Sequence, residues 1–534
     1  MTKPAMIENE FCITFSTVNG SGSATANITL MRALFRMGIP VSGKNIFPSN
    51  IQGQPTWFTL RLSRKGYIAR KQEDDIIVAM NPSTVGKDIS CLVPGGVMLI
   101  PDDFEYVNPR DDIVVYEMPV HELVLQAEIH TAFREYIANM VYVGVLASLL
   151  KIEMEAIYNA LDYHFKGNAK SIEINYKVVE LAYKWAENNL TKKDRYLTSR
   201  MNGTKGCIMT DGNTAAALGS IYGGVQFVSW YPITPATSLV ETLHEYLPQL
   251  RQDPETGKDT FAVVQAEDEL AAIGMAIGAG WGGLRAMTST SGPGLSLMTE
   301  YIGLAYYAEV PVVIWDVQRV GPSTGMPTRT AQGDLTMVNF ISHGDTQILI
   351  LIPGTINECF DFGWMAFDIA ERYQTPVVVL SDLDFGMNQW MTKKFKYPDR
   401  PIDRGKVLWE MDLEKLLEKN HGEWGRYLDI DGDGIPYRTL PGNKHPKSGH
   451  FVRGTSHDEF ARYTEDGITW VNNFNRIKSK IDFARESLPE PFVTLQPGAE
   501  IGIIASGSVD PAVVEARDLL NEDGIKVDYL RVRG

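Results

Sequence analysis

The segment VQFVSWYPITPATSLVETLHEYL, residues 225–247, determines the fold that this sequence predicts. An apolar run typical of a β-strand leads into the motif YPITP at residues 231–235, and a pattern typical of a helix follows. The two prolines fix the backbone and leave the hydroxyl of Thr234 at a strand end, which is where α/β folds bind ligands. A rigid turn with Thr234 as a helix N-cap also explains this motif.

The sequence around this segment continues as one α/β pattern from about residue 206 to 395. Helical patterns such as DELAAIGMAIGAGWG separate the strand-like runs. The predicted strands are VQFVSWYP, TFAVVQAE, GLRAMTST, VPVVIWDV, TQILILIP and TPVVVLSD. Because several of these runs are apolar throughout, we expect strands that are buried on both faces of a parallel sheet.

Another α/β pattern precedes it, from residue 10 to about 195. The strand-like run FCITFS is followed by the turn Gly20-Ser21-Gly22-Ser23 and then by a helical pattern. This order of strand, Gly-rich turn and helix is one by which α/β folds bind anions at a helix N-terminus. Further strand-like runs are TWFTLRLS, DDIIVAMN and GGVMLIP, and long helical stretches follow them.

The last 140 or so residues are less regular, on the order of one domain in length. Residues 396–490 are polar and rich in Gly, Pro, Asp and Lys, which predicts an irregular connector or arm. Residues 491–534 contain one strand–helix–strand pattern, EIGIIASGS, DPAVVEARDLLNEDG and KVDYLRV. One such unit does not close a core by itself, so we expect it to pack on the rest of the chain or to begin a truncated α/β domain.

The charge balance restricts the class of protein. The 534 residues include 66 acidic and 50 basic ones, for a net charge of -16. This argues against a nucleic-acid-binding protein and against adhesion to an anionic membrane. No run reaches the roughly 18–20 apolar residues that span a bilayer, and the N-terminus MTKPAMIENE does not resemble a signal peptide. We therefore expect a cytoplasmic protein.

The cysteines predict no metal cluster on this chain. They are far apart in sequence and form no CxxC: Cys12, Cys91, Cys207 and Cys359. This spacing suits neither a disulfide framework nor an iron–sulfur cluster, so any cluster that accepts electrons must belong to another chain.

One acidic turn imitates a calcium loop. Asp429, Asp431 and Asp433 have the spacing of its first ligands, but Leu440 stands where the bidentate Glu belongs. An ordinary Asp- and Gly-rich turn is the better interpretation. The nine histidines also lack the spacing of metal ligands, so no metal site is expected on this chain.

Three further segments follow predicted strands of the 206–395 pattern. In QAEDE, Glu267 is a candidate acid–base group if its carboxylate is deeply buried, and otherwise belongs to an acidic helix start. The segment TSTSGPG, which includes Thr290, Ser291 and Gly292, suits close approach of a ligand to the backbone or an ordinary β–α turn. Arg319 is a candidate clamp for a carboxylate, or a surface salt-bridge residue.

These four segments, in this order, resemble the pyrimidine-binding domain of the thiamine-diphosphate-dependent 2-oxoacid:ferredoxin oxidoreductases. The preceding unit resembles the gamma domain of that family, fused ahead of it as in the 2-oxoglutarate enzymes. The resemblance extends from about residue 11 to the end. It implies a multidomain α/β alpha subunit: a gamma domain (10–195), a pyrimidine-binding domain (206–395), a connector (396–490) and a truncated C-terminal transketolase-like domain (491–534).

The resemblance also assigns roles to residues. Glu267 matches the carboxylate that contacts N1′ of the thiamine aminopyrimidine. Asp268 and Glu269 are interpreted as residues that begin a helix. Thr234 and Arg319 match substrate-binding residues, and Thr328 lies where relatives place another substrate contact. The resemblance also implies that Thr290, Ser291 and Gly292 contribute to the thiamine diphosphate site. Relatives that act on pyruvate usually continue the first motif with two serines, whereas Ala236-Thr237 stands here, which favours the 2-oxoglutarate type.

In the gamma-like unit, the turn Gly20-Ser21-Gly22-Ser23 and the segment FPSNIQGQPTWFTLRLS resemble the coenzyme A region of the family. Arg61 falls where relatives place a CoA-binding arginine, and Lys44 is a candidate helper. A cationic fork beside a Gly-rich turn suits a phosphate-bearing ligand. Alternatively, Arg61 is an ordinary charge on the surface of a strand.

The chain lacks the GDG-plus-Asn element that holds Mg²⁺ and the diphosphate in the family. The resemblance places that element, together with the [4Fe-4S] cysteines, on a beta subunit, in an α2β2 assembly with ferredoxin as electron acceptor. The expected reaction is CoA-dependent oxidative decarboxylation of 2-oxoglutarate, or its reverse. The alternatives are a pyruvate or broad-range 2-oxoacid enzyme, a non-catalytic partner-binding relative, and a nicotinamide dehydrogenase, which the missing dinucleotide fingerprint disfavours.

Overall fold

The computed structural model describes residues 5–48 and 53–534. It divides into two compact units. The first comprises Met1–Thr210, Asn388–Lys394 and Pro511–Ala516, and the second comprises Asp211–Met387, Phe395–Asp510 and Arg517–Gly534. Within the described part of the chain, no helix combines the length and the apolar character that crossing a bilayer requires.

The first unit is built on a mixed six-stranded sheet of order β3-β4-β2-β5-β6-β7. In this sheet β4 is antiparallel to both of its neighbours, β3 and β2, and the pairs from β2 through β5 and β6 to β7 are parallel. The strands are β1 (Ile7–Glu8), β2 (Phe11–Val18), β3 (Val41–Ile46), β4 (Pro55–Leu62), β5 (Asp74–Ala79), β6 (Leu92–Pro101), β7 (Val114–Met118), β8 (Tyr196–Leu197) and β9 (Cys207–Thr210). The four strands predicted here from sequence are confirmed, and β3 and β7 are additional.

Helices cover this sheet. They are α1 (Ser23–Arg36), α2 (Val85–Cys91), α3 (Val120–Gln126), α4 (Arg134–Ile137), α5 (Met140–Leu150), α6 (Met154–His164) and α7 (Ala169–Asn189), with a 3-10 turn at Thr131–Phe133. All of these helices except α2 share one core with β2 and β4, whereas α2 packs in a separate cluster with β5 and β6. Ten of the eleven residues of α5 are buried, as expected for a helix that is apolar on all sides.

The second unit contains an all-parallel six-stranded sheet of order β11-β10-β12-β13-β15-β14. Its strands are β10 (Phe227–Trp230), β11 (Ala262–Gln265), β12 (Ala286–Thr290), β13 (Val312–Gln318), β14 (Leu349–Leu351) and β15 (Pro376–Asp382). Every residue of β12, β13 and β15 is buried. The predicted parallel sheet with strands covered on both faces is therefore confirmed, except that the edge strand β11 is partly exposed.

The helices of this sheet are α8 (Gly212–Tyr222), α9 (Thr237–Leu250), α10 (Glu269–Trp281), α11 (Gly292–Leu297), α12 (Thr299–Tyr307), α13 (Leu335–Asn339), α14 (Ile356–Tyr373) and α15 (Leu383–Met387). The chain then returns to the first unit with β16 (Trp390–Lys393), which pairs antiparallel with β9.

The stretch predicted as an irregular arm, residues 396–490, contains two helices, α16 (Glu410–Lys419) and α17 (Gly467–Ala484), and ends in a 3-10 turn at Arg485–Ser487. In α16, Leu413, Leu416 and Leu417 face inward at helical spacing. In α17, Asp466 caps the first turn by accepting from the backbone N–H of Thr469 at 2.8 Å. The many charged residues of both helices concealed this periodicity in the sequence.

The C-terminal strand–helix–strand pattern is confirmed and forms a small sheet of order β17-β19-β18. Its elements are β17 (Phe492–Thr494), β18 (Ile501–Ser506), a 3-10 turn at Gly507–Val509, α18 (Asp510–Glu522) and β19 (Val527–Val532). The predicted multidomain α/β class is confirmed, whereas the division into four domains stays a prediction.

Candidate active site

The four segments singled out from the sequence meet at one edge of the parallel sheet. Thr234 follows β10, Glu267 follows β11, Ser291 follows β12 and Arg319 follows β13. Because all strands run in one direction, their carboxyl ends share one edge, and α/β folds bind ligands there. The fold therefore brings these four candidates together.

The YPITP turn is held by side chains from outside the motif. Thr237 accepts a hydrogen bond from the Ile233 N–H at 3.0 Å and donates to the Ile233 carbonyl at 3.2 Å. Asn213 of α8 donates to the Pro235 carbonyl at 2.8 Å. Helix α9 begins at Thr237 with Ala236 as its N-cap, so the alternative role of Thr234 as an N-cap is wrong. Thr234 is left half-buried at the strand end, while Asn213 and Thr237 are supporting residues that the sequence analysis missed.

Arg319 is directed inward. It is 7 % exposed, its Nη1 donates to the Thr234 carbonyl at 2.6 Å, and its Nη2 donates to the Thr324 carbonyl at 3.0 Å. Burial lowers the pKa of this guanidinium, and the nearby Asp334 carboxylate opposes that shift. Its Nε is buried and finds no partner among the described residues. The surface salt-bridge interpretation is therefore wrong, and one donor remains for a ligand.

Thr328 lies in the loop that Arg319 begins, and it is also buried. Arg329 donates through Nη1 to the carbonyl and to the hydroxyl of Thr328, at 2.9 and 3.0 Å. A bridge between Val320 and Met326 folds this loop back on itself. The hydroxyl predicted as a substrate contact thus has a fixed position on a closed loop.

Glu267 is exposed at the end of the edge strand β11, so the expected deep burial of its carboxylate is absent in this chain. Asp268 is the N-cap of α10 and accepts from the Ala271 N–H at 2.7 Å, and Glu269 is the first residue of that helix. The prediction that these two residues serve the helix start is confirmed. Glu267 is the carboxylate that remains available to a ligand.

The segment after β12 offers small, buried polar groups. The Ser291 hydroxyl is buried without a partner among the described residues, and the Thr290 hydroxyl has only a 3.4 Å contact to the Ser291 carbonyl. A Cβ atom on Gly292 would lie 2.7 Å from an Asp334 carboxyl oxygen, and one on Gly294 would lie 2.2 Å from the Thr290 hydroxyl. Orphaned hydroxyls in a turn that excludes side chains fit one end of a polar cofactor.

In the first unit, the Gly-rich turn follows β2 and begins α1. Gly22 has φ +80°, and a Cβ atom there would lie 2.8 Å from the Tyr136 carbonyl, so the turn requires glycine. Ser23 accepts from the Thr17 hydroxyl at 2.9 Å, and Asn139 donates to the Ser21 carbonyl at 2.7 Å. The predicted strand–turn–helix arrangement is present.

Arg61 is not beside that turn. It pairs with Cys12 across β2 and β4, whereas the Gly-rich turn follows Val18, roughly 20 Å further along β2. The Arg61 head is buried and donates to Glu10 at 2.9 Å and Glu515 at 3.0 Å. The expectation of a cationic fork beside the turn is therefore wrong for Arg61. It is also not a strand-surface charge.

Lys44 lies on β3, with its ammonium 4.6 Å from the centre of the Trp390 ring. Residues 49–52, which belong to the segment FPSNIQGQPTWFTLRLS, lie outside the described residues. A role for Lys44 or Arg61 in CoA binding stays a prediction.

The acidic turn at residues 429–434 is occupied by a side chain of the protein. The Lys406 ammonium donates to Asp431 at 2.7 Å, to Asp433 at 2.8 Å and to the Ile435 carbonyl at 3.0 Å. Asp429 accepts from the N–H groups of Gly432 and Gly434. This is the Asp- and Gly-rich turn preferred from the sequence, with an internal cation.

Two family comparisons agree with this arrangement. Residues 12–185 match the family described as "Pyruvate ferredoxin/flavodoxin oxidoreductase", and residues 218–404 match "Pyruvate flavodoxin/ferredoxin oxidoreductase, thiamine diP-bdg". Fold and site therefore define a subunit of a thiamine-diphosphate-dependent oxidoreductase.

Individual relatives define more closely the class of oxidoreductase to which this subunit belongs. The alpha subunit of 2-oxoacid:ferredoxin oxidoreductase 1 from Sulfurisphaera tokodaii is 31% identical over 96% of this chain and 85% of its own length. 2-Oxoglutarate synthase subunit KorA from Methanothermobacter thermautotrophicus is 36% identical over 60% of this chain and 79% of its own. The solved 2-oxoglutarate:ferredoxin oxidoreductase from Magnetococcus marinus, with 2-oxoglutarate, coenzyme A and succinyl-CoA bound, aligns with a TM-score of 0.87 at 27% identity, covering 98% of this chain and 87% of that one. The chain belongs to the alpha subunits of the 2-oxoacid:ferredoxin oxidoreductases, and the family predicted from its motifs is confirmed.

Proposed function

We propose that this chain is the alpha subunit of a 2-oxoglutarate:ferredoxin oxidoreductase. The reaction takes 2-oxoglutarate, CoA and two oxidised ferredoxins to succinyl-CoA, CO₂, two reduced ferredoxins and one proton, or runs in reverse. The observation that carries the proposal is the 2.6 Å hydrogen bond from Arg319 to the Thr234 carbonyl, because it joins two predicted substrate residues at the sheet edge that carries Glu267. The KorA relatives and the Magnetococcus marinus enzyme support 2-oxoglutarate as the 2-oxoacid.

The substrate's carboxylate would pair with Arg319, since a buried guanidinium with one N–H unsatisfied favours an anionic partner. The hydroxyls of Thr234 and Thr328 would orient the 2-oxo group and the carboxylate beside it. Both lie on backbone that other side chains hold, which limits the loss of conformational entropy on binding.

Thiamine diphosphate, when bound, supplies the chemistry that cleaves the bond to CO₂. This chain would hold only its aminopyrimidine end, through the Glu267 carboxylate at N1′ and the small turn at Thr290, Ser291 and Gly292. The exposed Glu267 and the orphaned Ser291 hydroxyl suit this assignment. The Glu267 carboxylate would stabilise the proton on the ring nitrogen that it contacts.

The same surface argues for a second chain. Beyond Glu267, helix α10 exposes two large apolar side chains on one face, since Leu270 (42% exposed) and Trp281 (43% exposed) lie three turns apart. The element that holds the diphosphate in this family is missing from the chain. An exposed apolar face of this kind therefore suits an obligate interface with a second subunit. We assign it to the beta subunit, which would carry Mg²⁺, the diphosphate site and the [4Fe-4S] cluster, in an α2β2 assembly that reduces ferredoxin. Among the described residues, no group of His, Cys, Asp and Glu could hold a metal ion.

The first unit would bind CoA. The turn Gly20-Ser21-Gly22-Ser23 is the part best suited to its phosphates, because backbone N–H groups there begin helix α1. Lys44 and Arg61 belong to the proposed region on the basis of the family pattern. Since Arg61 lies at the other end of β2, it would contact a different part of a long ligand or only support the strand.

A broader substrate range is a second candidate, because curated relatives that match 96% of this chain are described as 2-oxoacid:ferredoxin oxidoreductases. Co-purification of this chain with its beta subunit, followed by CoA-dependent viologen reduction with 2-oxoglutarate, pyruvate or no substrate, separates the two. Reduction with 2-oxoglutarate that is lost in Glu267→Gln would support the proposal. Equal rates with pyruvate would favour the broad-range enzyme, and no reduction by a complex with bound thiamine diphosphate and intact cluster would contradict both.

The interface has its own matched test. Trp281→Glu should prevent co-purification of the beta subunit, because it introduces a charge into the exposed apolar face of α10. Met411→Glu is the control, since Met411 is 76% exposed on α16. If both variants retain the partner equally, the α10 face is not the interface.

A further inference from the structure

Two carboxylic acids lie together beneath the predicted substrate residues. Asp316 is in the middle of β13, fully buried, between Thr290 of β12 and Leu380 of β15. The carboxyl of Asp334, which comes 18 residues later, lies beside it. Neither oxygen of Asp316, nor Oδ2 of Asp334, has a hydrogen-bond partner among the described residues. No step assigned to the chain so far uses these acids.

The surroundings of Asp334 are built to admit its carboxyl. The missing side chain of Gly292 leaves this space, since a Cβ atom there would lie 2.7 and 2.8 Å from the two Asp334 oxygens. The backbone N–H of Asp334 donates to the Gln318 side chain at 3.0 Å. Gln318 and Asp316 lie on the same face of β13, two residues apart, so one strand face holds both the backbone and the side chain of Asp334.

The loop from Arg319 to Asp334 is consequently fastened at both ends. At its start, Arg319 donates to the carbonyls of Thr234 and Thr324. At its end, the backbone N–H of Asp334 donates to the Gln318 side chain, and the Asp334 carboxyl lies beside Asp316. Thr328, the other predicted substrate residue, lies between these attachments. The geometry of the substrate residues therefore depends on the contact between the two acids.

Burial and the proximity of the two carboxyls affect the protonation of Asp316 and Asp334. Burial, followed by the neighbouring Asp334, raises the pKa of Asp316 well above its usual range, and burial also raises the pKa of Asp334. Two buried carboxyls side by side resist ionising together, and one proton between them would satisfy oxygens that otherwise have no partner. The pair then carries one negative charge, which the Arg319 guanidinium balances.

We propose that Asp316 and Asp334 are positioning residues of the oxidoreductase, an acid pair that shares one proton and holds the loop of Arg319 and Thr328 against Thr234. The proposal rests on the substrate role proposed above for Arg319. Asp316 donates the shared proton to Asp334, and the negative charge of the pair keeps the buried Arg319 charged and ready for a substrate carboxylate.

The pair should give binding a pH dependence. An acid with a raised pKa keeps its proton until alkaline pH, where loss of the proton leaves two adjacent negative charges and opens the contact. The charged or titratable groups near the pair are Arg319 on the loop and Glu269 at the start of α10, which lies against Gly294. The neighbours on β12 and β15, Thr290 and Leu380, are uncharged. We therefore expect the KM for the 2-oxoacid to rise at alkaline pH.

The test measures kcat and KM for 2-oxoglutarate with the assembled complex of wild type, Asp316→Asn, Asp316→Leu and Arg319→Ala. Asn keeps a donor for Asp334 but has no proton to lose, whereas Leu has the same shape and cannot donate. Asp316→Leu should raise KM by about 10-fold or more with a smaller change in kcat, and Asp316→Asn should stay within about three-fold and lose the alkaline rise. If Asp316→Leu does not assemble, the same comparison is made with Asp334→Asn and Asp334→Leu.

Wild-type KM values for the Leu variants, or equal effects of Asn and Leu, would overturn the shared-proton proposal. Arg319→Ala separates this failure from a failure of the proposed function. A raised KM in Arg319→Ala with unaffected acid variants would reject only the acid pair. An unchanged KM in Arg319→Ala would reject the substrate role of Arg319 and, with it, the positioning role of the pair.

Discussion

Replacement of Glu309 by glutamine should destabilise the second unit strongly. Glu309 lies between α12 and β13, is fully buried, and accepts from Lys480 at 2.6 Å and from Arg476 at 3.1 Å, both on α17. Arg426 donates to its backbone carbonyl at 2.8 Å. The carboxylate thus pairs with two buried cations, while a third binds the backbone carbonyl of the same residue, and these contacts hold helix α17 on the parallel-sheet domain.

The excess of buried cations over carboxylates determines how much stability Glu309→Gln should lose. Burial alone would raise the pKa of Glu309, but Arg476 and Lys480 lower it well below its usual range. Removing the charge of one partner in a buried ion pair lowers the free energy of unfolding by about 3–5 kcal/mol. Glu309→Gln removes the shared anion and so leaves several cations unpaired. Lys480→Met removes a surplus cation instead and should cost about 1 kcal/mol or less.

The pH dependence has a defined sign. Burial lowers the pKa of Lys480 from 10.5 to about 8, although Glu309 opposes that shift. Between these two values the unfolded chain binds more protons than the folded one at this site, so this lysine makes stability increase with pH in that window. The contribution should be absent in Lys480→Met.

Urea unfolding of the full chain, followed by circular dichroism and tryptophan fluorescence at pH 7 to 10, measures all three effects on the transition of the second unit. A loss below about 1 kcal/mol in Glu309→Gln, or an equal loss in Lys480→Met, would refute the argument from charge imbalance.

Three further outcomes are expected. Glu267→Gln should lower the activity of the assembled complex by about 10²-fold or more without changing thermal unfolding, because the side chain is exposed; a large shift in unfolding temperature would contradict this. Gly292→Ala should raise the KM for the 2-oxoacid because its Cβ atom would displace the Asp334 carboxyl, and an unchanged KM in steady-state assays would show that the contact adapts. Added Ca²⁺ should not raise the unfolding temperature, because the Lys406 ammonium already occupies the turn at residues 429–434, and a calcium-dependent rise in a thermal scan would reject that assignment.

The strands of the parallel sheet could be predicted because burial on both faces requires continuous apolar runs, as in VPVVIWDV and TPVVVLSD. Strand β3, VSGKNI, and strand β7, VVYEM, were missed because their short sequences are mixed in polarity. Helices α16 and α17 were missed because much of their surface is charged, so that composition suggested an irregular arm.

The candidate site, like the fold, could be predicted only in part from the sequence. Parallel topology alone brings Thr234, Glu267 and Arg319 to one edge, so strand ends in the sequence were sufficient to group them. The expected position of Arg61 beside the Gly-rich turn was wrong because the two lie at opposite ends of β2. The order of motifs in the sequence does not show this distance along the strand. The contact between Asp316 and Asp334 depends on how a loop folds back, and no local pattern in the sequence records that.

The pairing of β9 with β16 has a consequence for synthesis of the chain. The last residue of β9 and the first of β16 are Thr210 and Trp390, and Gly43 on the edge strand β3 also bridges to Gln389. A ribosome adding about 5–20 residues per second needs roughly 10–40 s to make the intervening polypeptide. During that interval the nascent first unit presents unpaired strand edges, the feature that invites association with other chains. Its folding is therefore finished late, after most of the second unit has left the ribosome, and a chaperone that shields β3 and β9 would act in that interval.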